Sequence, residues 1–73
     1  MNVGKVSNYD GITGEIVTEK ETYYFSYYGI AKEVKNGDLV SFTIVDKDDN
    51  LAVDVRPYVK VDLKSLMKVI DEN

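Results

Sequence analysis

Residues 40–55 read VSFTIVDKDDNLAVDV, and two runs of alternating apolar and polar side chains in this stretch decide the fold. The apolar positions of the alternation are Val40, Phe42, Ile44, Leu51, Val53 and Val55. Because successive side chains of a β-strand point to opposite faces, each run predicts a strand with one face turned into a core. The acidic segment 46–50 between the runs predicts a hairpin turn, and Pro57 ends the second strand.

The same period of two recurs three times upstream of this stretch. Residues that tolerate tight turns separate the segments, most clearly at Asn36-Gly37. The predicted strands cover residues 3–9, 12–18, 22–27 and 38–46, with a fifth that begins at residue 51 and ends at the proline. The pattern is typical of an all-β, five-stranded antiparallel barrel, and its predicted interior residues are Val6, Ile16, Phe25, Val40, Phe42, Ile44, Val53 and Val55.

Beyond residue 58 the apolar spacing changes to i, i+3, i+4, i+7, the period of a helix, at Leu63, Leu66, Met67 and Ile70. Asp62 is a suitable N-cap for this helix. The chain therefore divides into a predicted barrel over 1–58 and a short C-terminal α-helix over 59–73. Because the apolar stripe must be covered, we expect the helix to pack on its own barrel or to form a homodimer with a second copy.

The composition excludes most kinds of catalytic site. The 73 residues include no cysteine and no histidine, so thiolate nucleophiles, imidazole bases and the common transition-metal ligands are missing. We therefore expect a binding module rather than an enzyme, with no metal and no cofactor. No apolar run approaches the ~20 residues that a membrane-spanning helix needs, and the first residues do not resemble a signal peptide. A cytoplasmic location without membrane contact is expected.

The third predicted strand concentrates the aromatic residues of the chain. The segment TYYFSYY, which starts at residue 22, contains four of the six tyrosines. Alternation turns Tyr23 and Phe25 inward and Tyr24 outward, with two further tyrosines at the strand end. Part of this ring surface must face solvent, where tyrosine suits either base stacking or a protein interface.

Taken in order, these residues resemble a cold-shock domain, the small five-stranded barrel of the oligonucleotide-binding fold. Gly4-Lys5-Val6 followed by Tyr9 is similar to the family's opening Gly-x-Val-Lys-Trp-Phe. The segment YFSYYGI from residue 24 is similar to its Phe-Val-His-Phe-Ser-Ala-Ile, and Gly37 with the following VSFTIV to its Gly-x-x-Val-x-Phe-x-Ile-Val. AVDV from residue 52 is similar to the closing Ala-x-x-Val, so the resemblance covers about residues 3–58.

Several ligand-binding positions of the family are changed in this chain. Asn8 stands where the family has tryptophan, and Ser26 replaces a histidine. Thr13 and Glu15 stand at two phenylalanine positions. Aromatic residues remain at Tyr9, Tyr24 and Tyr27.

The resemblance implies weak, sequence-tolerant binding of single-stranded DNA or RNA, because each lost stacking ring removes about 1–3 kcal/mol of affinity. The predicted nucleic-acid contacts are Tyr9, Tyr24, Tyr27, Lys5, Asn8, Arg56 and Lys60. The net charge of −4 weakens long-range attraction to phosphates. The alternative is a protein–protein interaction module, an adaptor or inhibitor that has lost nucleic-acid binding. Glu15 at the centre of the tyrosine surface favours this alternative, since a carboxylate there repels phosphate.

Overall fold

The computed structural model of the protein describes residues 2–59, and these form a closed barrel of five strands. The strands are β1 (Asn2–Ser7), β2 (Thr13–Val17), β3 (Thr22–Ser26), β4 (Leu39–Asp46) and β5 (Leu51–Pro57). Their order around the barrel is β1-β2-β3-β5-β4, and the ring closes where β4 pairs with β1. A short 3-10 turn, Tyr27–Gly29, follows β3.

The prediction of a purely antiparallel barrel is wrong, because β3 and β5 run parallel. Tyr24 pairs with Leu51 in this parallel contact, which Ile30 and Val55 extend by one further bridge. The other four strand pairs are antiparallel. A closed ring with an odd number of strands cannot alternate direction all the way round, so one neighbouring pair must be parallel. The resulting mixed barrel is consistent with an oligonucleotide-binding-like fold.

Most of the predicted interior is confirmed. Six of the eight predicted residues are buried, whereas Ile44 and Val53 are only partly buried. Ala52 and Val34, which were not predicted as interior, complete the core. The residues that fill the barrel are Val6, Ile16, Phe25, Val34, Val40, Phe42, Ala52 and Val55.

A β-bulge in β5 explains why the simple alternation fails there. Ser41 pairs with Arg56 and Thr43 pairs with Val53, so one residue of β4 faces two of β5. Asp54, one of those two, adopts a φ of 55°, the left-handed region that aspartate tolerates better than most residues. The extra residue shifts the phase of the strand, which turns Ala52 inward and leaves Leu51 exposed.

The predicted turns are also confirmed. Gly37 has a φ of 92° in the turn before β4, a conformation that glycine adopts without strain. In the β4–β5 hairpin, the carboxylate of Asp46 accepts hydrogen bonds from the backbone N–H groups of Asp48 and Asp49. The acidic segment therefore acts as a turn that its own side chains stabilise.

The helix predicted over 59–73 lies outside the described residues apart from Val59, so its packing and the homodimer remain predictions. Near the end of the described range, the N–H of Tyr58 donates a backbone hydrogen bond to the carbonyl of Leu39 in the barrel over 2.9 Å. Within residues 2–59, no helix has the length and apolar character needed to cross a membrane.

Candidate nucleic-acid interface

Strand β3 and the 3-10 turn after it present three exposed tyrosines, which we call the tyrosine face. Tyr24 is 49% exposed, Tyr27 is 62% exposed and Tyr28 is 94% exposed. The chain leaves the strand at Ser26, so the two tyrosines of the 3-10 turn no longer follow the alternation of β3. Their rings meet edge to face, with centroids 5.9 Å apart and an angle of 77° between the planes. Ring surface is thus offered to solvent in more than one direction.

An open groove of about 760 Å³ lies beside this turn. The residues that matter most in its lining are Tyr9, Tyr27, Tyr28, Ile30, Lys32 and Glu33. Lys32 and Glu33 are the charged residues of that lining. The groove therefore combines aromatic walls with one cation and one carboxylate, and Tyr24 lies outside it on the adjoining strand.

Tyr9 forms a wall of the groove rather than a free ring. Its side chain is partly buried, and its ring packs on Phe25 with centroids 5.2 Å apart. Gly14 leaves the space for this contact, because a Cβ at that position would lie 2.8 Å from Cζ of Phe25 and 2.9 Å from Cβ of Tyr9. One side of the Tyr9 ring therefore packs against the core.

The turn between β1 and β2 fixes the position of Tyr27. The Asp10 carboxylate accepts hydrogen bonds from the N–H groups of Ile12, at 2.8 Å, and Thr13, at 2.9 Å. These bonds, with that from Thr13 the stronger influence, hold the pKa of the Asp10 carboxyl below its ordinary value. The carbonyl of Ile12 then accepts the N–H of Tyr27 at 2.7 Å. The turn at Asp10 is in this way connected directly to the tyrosine face.

Glu15 lies beside the tyrosine face on β2, as the sequence predicts. It is directly opposite Tyr24 in the sheet, and both side chains point outward because Gly14, Ile16 and Phe25 are buried. Asn8 Nδ2 donates a hydrogen bond of 2.7 Å to Oε1 of Glu15. Asn8 has a φ of 54°, which asparagine adopts far more readily than the tryptophan of the resembled family.

The predicted basic contacts are not gathered at the tyrosine face. Lys5 is exposed on β1 and lines, with Asn8 and Asn36, a second shallow groove of about 570 Å³. Arg56 forms an ion pair with Asp54 and lines a groove that contains none of the tyrosines. Lys60 lies outside the described residues.

Tyr28 and Lys32 are among the groove residues that sequence reasoning missed. Tyr28 was recognised as an aromatic residue at a strand end, but its almost complete exposure depends on the 3-10 turn that follows. The doublet Tyr27-Tyr28 before Gly29 was the signal that the strand was ending there. Lys32 reaches the groove through the bridge between Ile30 and Val55, a tertiary contact without a local signature.

No family model, curated protein or solved structure matches this chain. The described residues also contain no group of three or more acidic side chains arranged to hold a metal ion. The geometry and chemistry of the tyrosine face therefore carry the functional argument.

Proposed function

We propose that the protein binds single-stranded DNA or RNA weakly and with little sequence preference, by stacking bases on the tyrosine face. The observation that carries this proposal is the exposure of three tyrosine rings on and just after β3, two of which line an open groove. Base stacking on an aromatic side chain contributes about 1–3 kcal/mol per base and tolerates any base. Two or three occupied rings correspond to a dissociation constant that is micromolar or weaker.

Two further features support this proposal. In oligonucleotide-binding barrels, the face of strands 2 and 3 and the loop between strands 1 and 2 contribute to the ligand site. Here Tyr24 lies on β3, and the turn that holds Tyr27 connects β1 to β2. The resemblance to cold-shock domains points to the same surface, although the chain keeps fewer stacking rings than that family.

Attraction between charges is not the main source of affinity in the proposed binding. Lys32 is the cation beside the tyrosines, and Lys5 stands further along the outer surface of β1. The chain carries a net charge of −4, so few phosphates are neutralised. We therefore expect a shallow dependence of log affinity on log salt concentration. As part of the same proposal, the protein is a cytoplasmic binding module without catalytic activity or a cofactor.

A substitution series at Tyr24 tests the proposal. Fluorescence anisotropy with a labelled single-stranded hexamer is expected to show a loss of about 1–3 kcal/mol of binding free energy for Tyr24→Ala. Tyr24→Phe keeps the ring and serves as the matched control, with affinity close to that of the wild type. Equal binding by the alanine and phenylalanine variants, or no binding by the wild type up to millimolar concentration, would contradict the proposal.

The exposed side chain of Ile12 favours a second candidate function, that of a protein–protein interaction module. This side chain is 69% exposed, and its carbonyl accepts the N–H of Tyr27, so an aliphatic group lies next to the tyrosine face. A protein interface uses such a contact, whereas base stacking does not need it. Ile12→Ser should therefore leave oligonucleotide binding within about twofold and weaken a protein complex by about tenfold, which separates the two functions.

A further inference from the structure

The position of Glu15 gives the outer surface of the barrel a hydrogen-bonding group beside a stacking ring. Glu15 and Tyr24 are directly opposite each other on β2 and β3, where Cβ atoms are about 4.5–5.5 Å apart. A base stacked on Tyr24 therefore has one edge within reach of the carboxylate. The surface next to the ring is an acceptor, not a hydrophobic platform.

Asn8 orients this carboxylate. Its Nδ2 group donates to Oε1 of Glu15 over 2.7 Å, and within residues 2–59 no partner is seen for Oε2. Each carboxylate oxygen has two lone-pair directions, so the group keeps the capacity to accept further hydrogen bonds from a ligand. Asn8 directly follows β1 and has a left-handed backbone with a φ of 54°. Its amide therefore gives the carboxylate one hydrogen-bond partner without a ligand.

The bases differ in what they offer to such an acceptor. The Watson–Crick edge of guanine carries two adjacent donors, N1–H and the 2-amino group, which match the two oxygens of a carboxylate. Thymine and uracil carry one N–H between two carbonyl oxygens, and those oxygens repel a carboxylate. Adenine and cytosine have one amino donor next to an acceptor nitrogen. Charge-assisted, bidentate hydrogen bonds are the strongest of these pairings.

We propose that Glu15, oriented by Asn8, makes the stacking position on Tyr24 selective for guanine over thymine or uracil. This inference rests on the proposed function, because it requires a base on Tyr24. It assigns a specificity to one position of an otherwise sequence-tolerant surface. A single guanine in a short strand is enough to use it, because the strand can slide until that base occupies Tyr24.

The test compares three labelled hexamers: hexathymidine, and the same hexamer with one central guanosine or one central inosine. Inosine keeps N1–H and lacks the 2-amino group, so it removes one of the two donors. The wild-type protein is expected to bind the guanosine hexamer about tenfold more tightly than hexathymidine, with the inosine hexamer in between. Glu15→Gln, which has nearly the same shape, should reduce the preference to about twofold or less and leave hexathymidine binding unchanged or improved.

The outcomes distinguish the inference from the function on which it rests. If the wild type binds all three hexamers with the same affinity, the selectivity proposal is overturned and nucleic-acid binding stands. Equal preference for guanosine in the wild type and in Glu15→Gln also overturns it, because the carboxylate would then not be the selecting group. If no hexamer binds, the proposed function fails and the inference fails with it. The inosine comparison needs no variant, so the test does not depend on the folding of Glu15→Gln.

Discussion

The side-chain amide of Asn36 is paired with the backbone of Tyr9 through two hydrogen bonds. The N–H of Tyr9 donates to Oδ1 of Asn36 over 2.8 Å, and Nδ2 of Asn36 donates to the carbonyl of Tyr9 over 2.9 Å. The two residues are 27 positions apart, so this contact ties the segment after β1 to the turn before β4. It holds Tyr9 where its ring can pack on Phe25 and form a wall of the groove.

Asn36→Ala is expected to destabilise the protein by about 1–3 kcal/mol, since it removes two hydrogen bonds that each contribute about 0.5–1.5 kcal/mol. Urea unfolding followed by circular dichroism measures this change. Asn36→Asp keeps the acceptor for the Tyr9 N–H but places a second oxygen against the carbonyl, so it should also be destabilised. An aspartate variant as stable as the wild type would show that the paired geometry is unimportant.

A comparison of two residues on β4 tests the core. Phe42 is buried and packs on Tyr23 with ring centroids 5.1 Å apart, whereas Leu39 on the same strand is 47% exposed. Phe42→Ala is expected to cost about 3–5 kcal/mol, which is close to the whole stability of so small a domain. Leu39→Ala, the control, should cost less than about 1 kcal/mol. Similar thermal melting of the two variants would contradict the core assignment.

Most of the barrel was predictable because each strand has a signature within its own short segment of sequence. Alternating apolar residues such as Val40 and Phe42 indicate a strand, and turn residues mark where each strand ends. The phase of β5 was not predictable in this way. Asp54 changes it by adopting a left-handed conformation, which an aspartate permits but does not require. The parallel pairing of β3 with β5 follows only from closure of the ring.

The sequence predicted which types of residue form the candidate site, but not how their side chains are placed relative to one another. The tyrosine-rich segment predicted Tyr24 on the outer face and Tyr27 at the strand end, and the structure shows both exposed. Tyr9 was predicted as a nucleic-acid contact, yet one side of its ring packs on Phe25 in the core. Arg56 forms an ion pair with Asp54, two residues earlier on the same strand. The packing of Tyr9 on Phe25 depends on the assembled barrel, so one segment of sequence does not reveal it.

The turn at Asp10 should make stability depend on pH in the acidic range. The folded pKa of this carboxyl is lowered by the N–H groups of Thr13 and Ile12, so its contribution to stability is present above the ordinary aspartate pKa of about 3.9. The contribution is lost as the pH falls through the lower, folded value. Asp10→Asn keeps an acceptor oxygen without the charge and provides the control.

At neutral pH, the wild type is expected to have a larger free energy of unfolding than Asp10→Asn. This gap between the two proteins should narrow as the pH falls below about 4. Urea unfolding over a series of pH values measures the gap, and an NMR titration of the Asp10 carboxyl carbon gives its folded pKa directly. A gap that stays constant across the acidic range, or a carboxyl that titrates at its ordinary value, would rule out this role for the turn.

Glu15→Phe is the sharpest test of the tyrosine face. The substitution removes a carboxylate that repels phosphate and places an aromatic ring opposite Tyr24, where the resembled family has a phenylalanine. We expect affinity for hexathymidine to rise by about tenfold or more, since an added ring contributes about 1–3 kcal/mol per stacked base. Glu15→Leu removes the charge without adding a ring, so it separates electrostatics from stacking and should give a smaller gain.

The same variant distinguishes the two candidate functions. If stacking is the mode of binding, Glu15→Phe should gain affinity for hexathymidine while losing any preference for guanosine, because the acceptor is gone and the platform is larger. If oligonucleotide binding stays undetectable in Glu15→Phe, while the wild type forms a protein complex that Tyr24→Ala and Tyr27→Ala abolish, the tyrosine face is a protein interface. Those rings would then be used for their apolar surface and their hydroxyl groups, and not for bases.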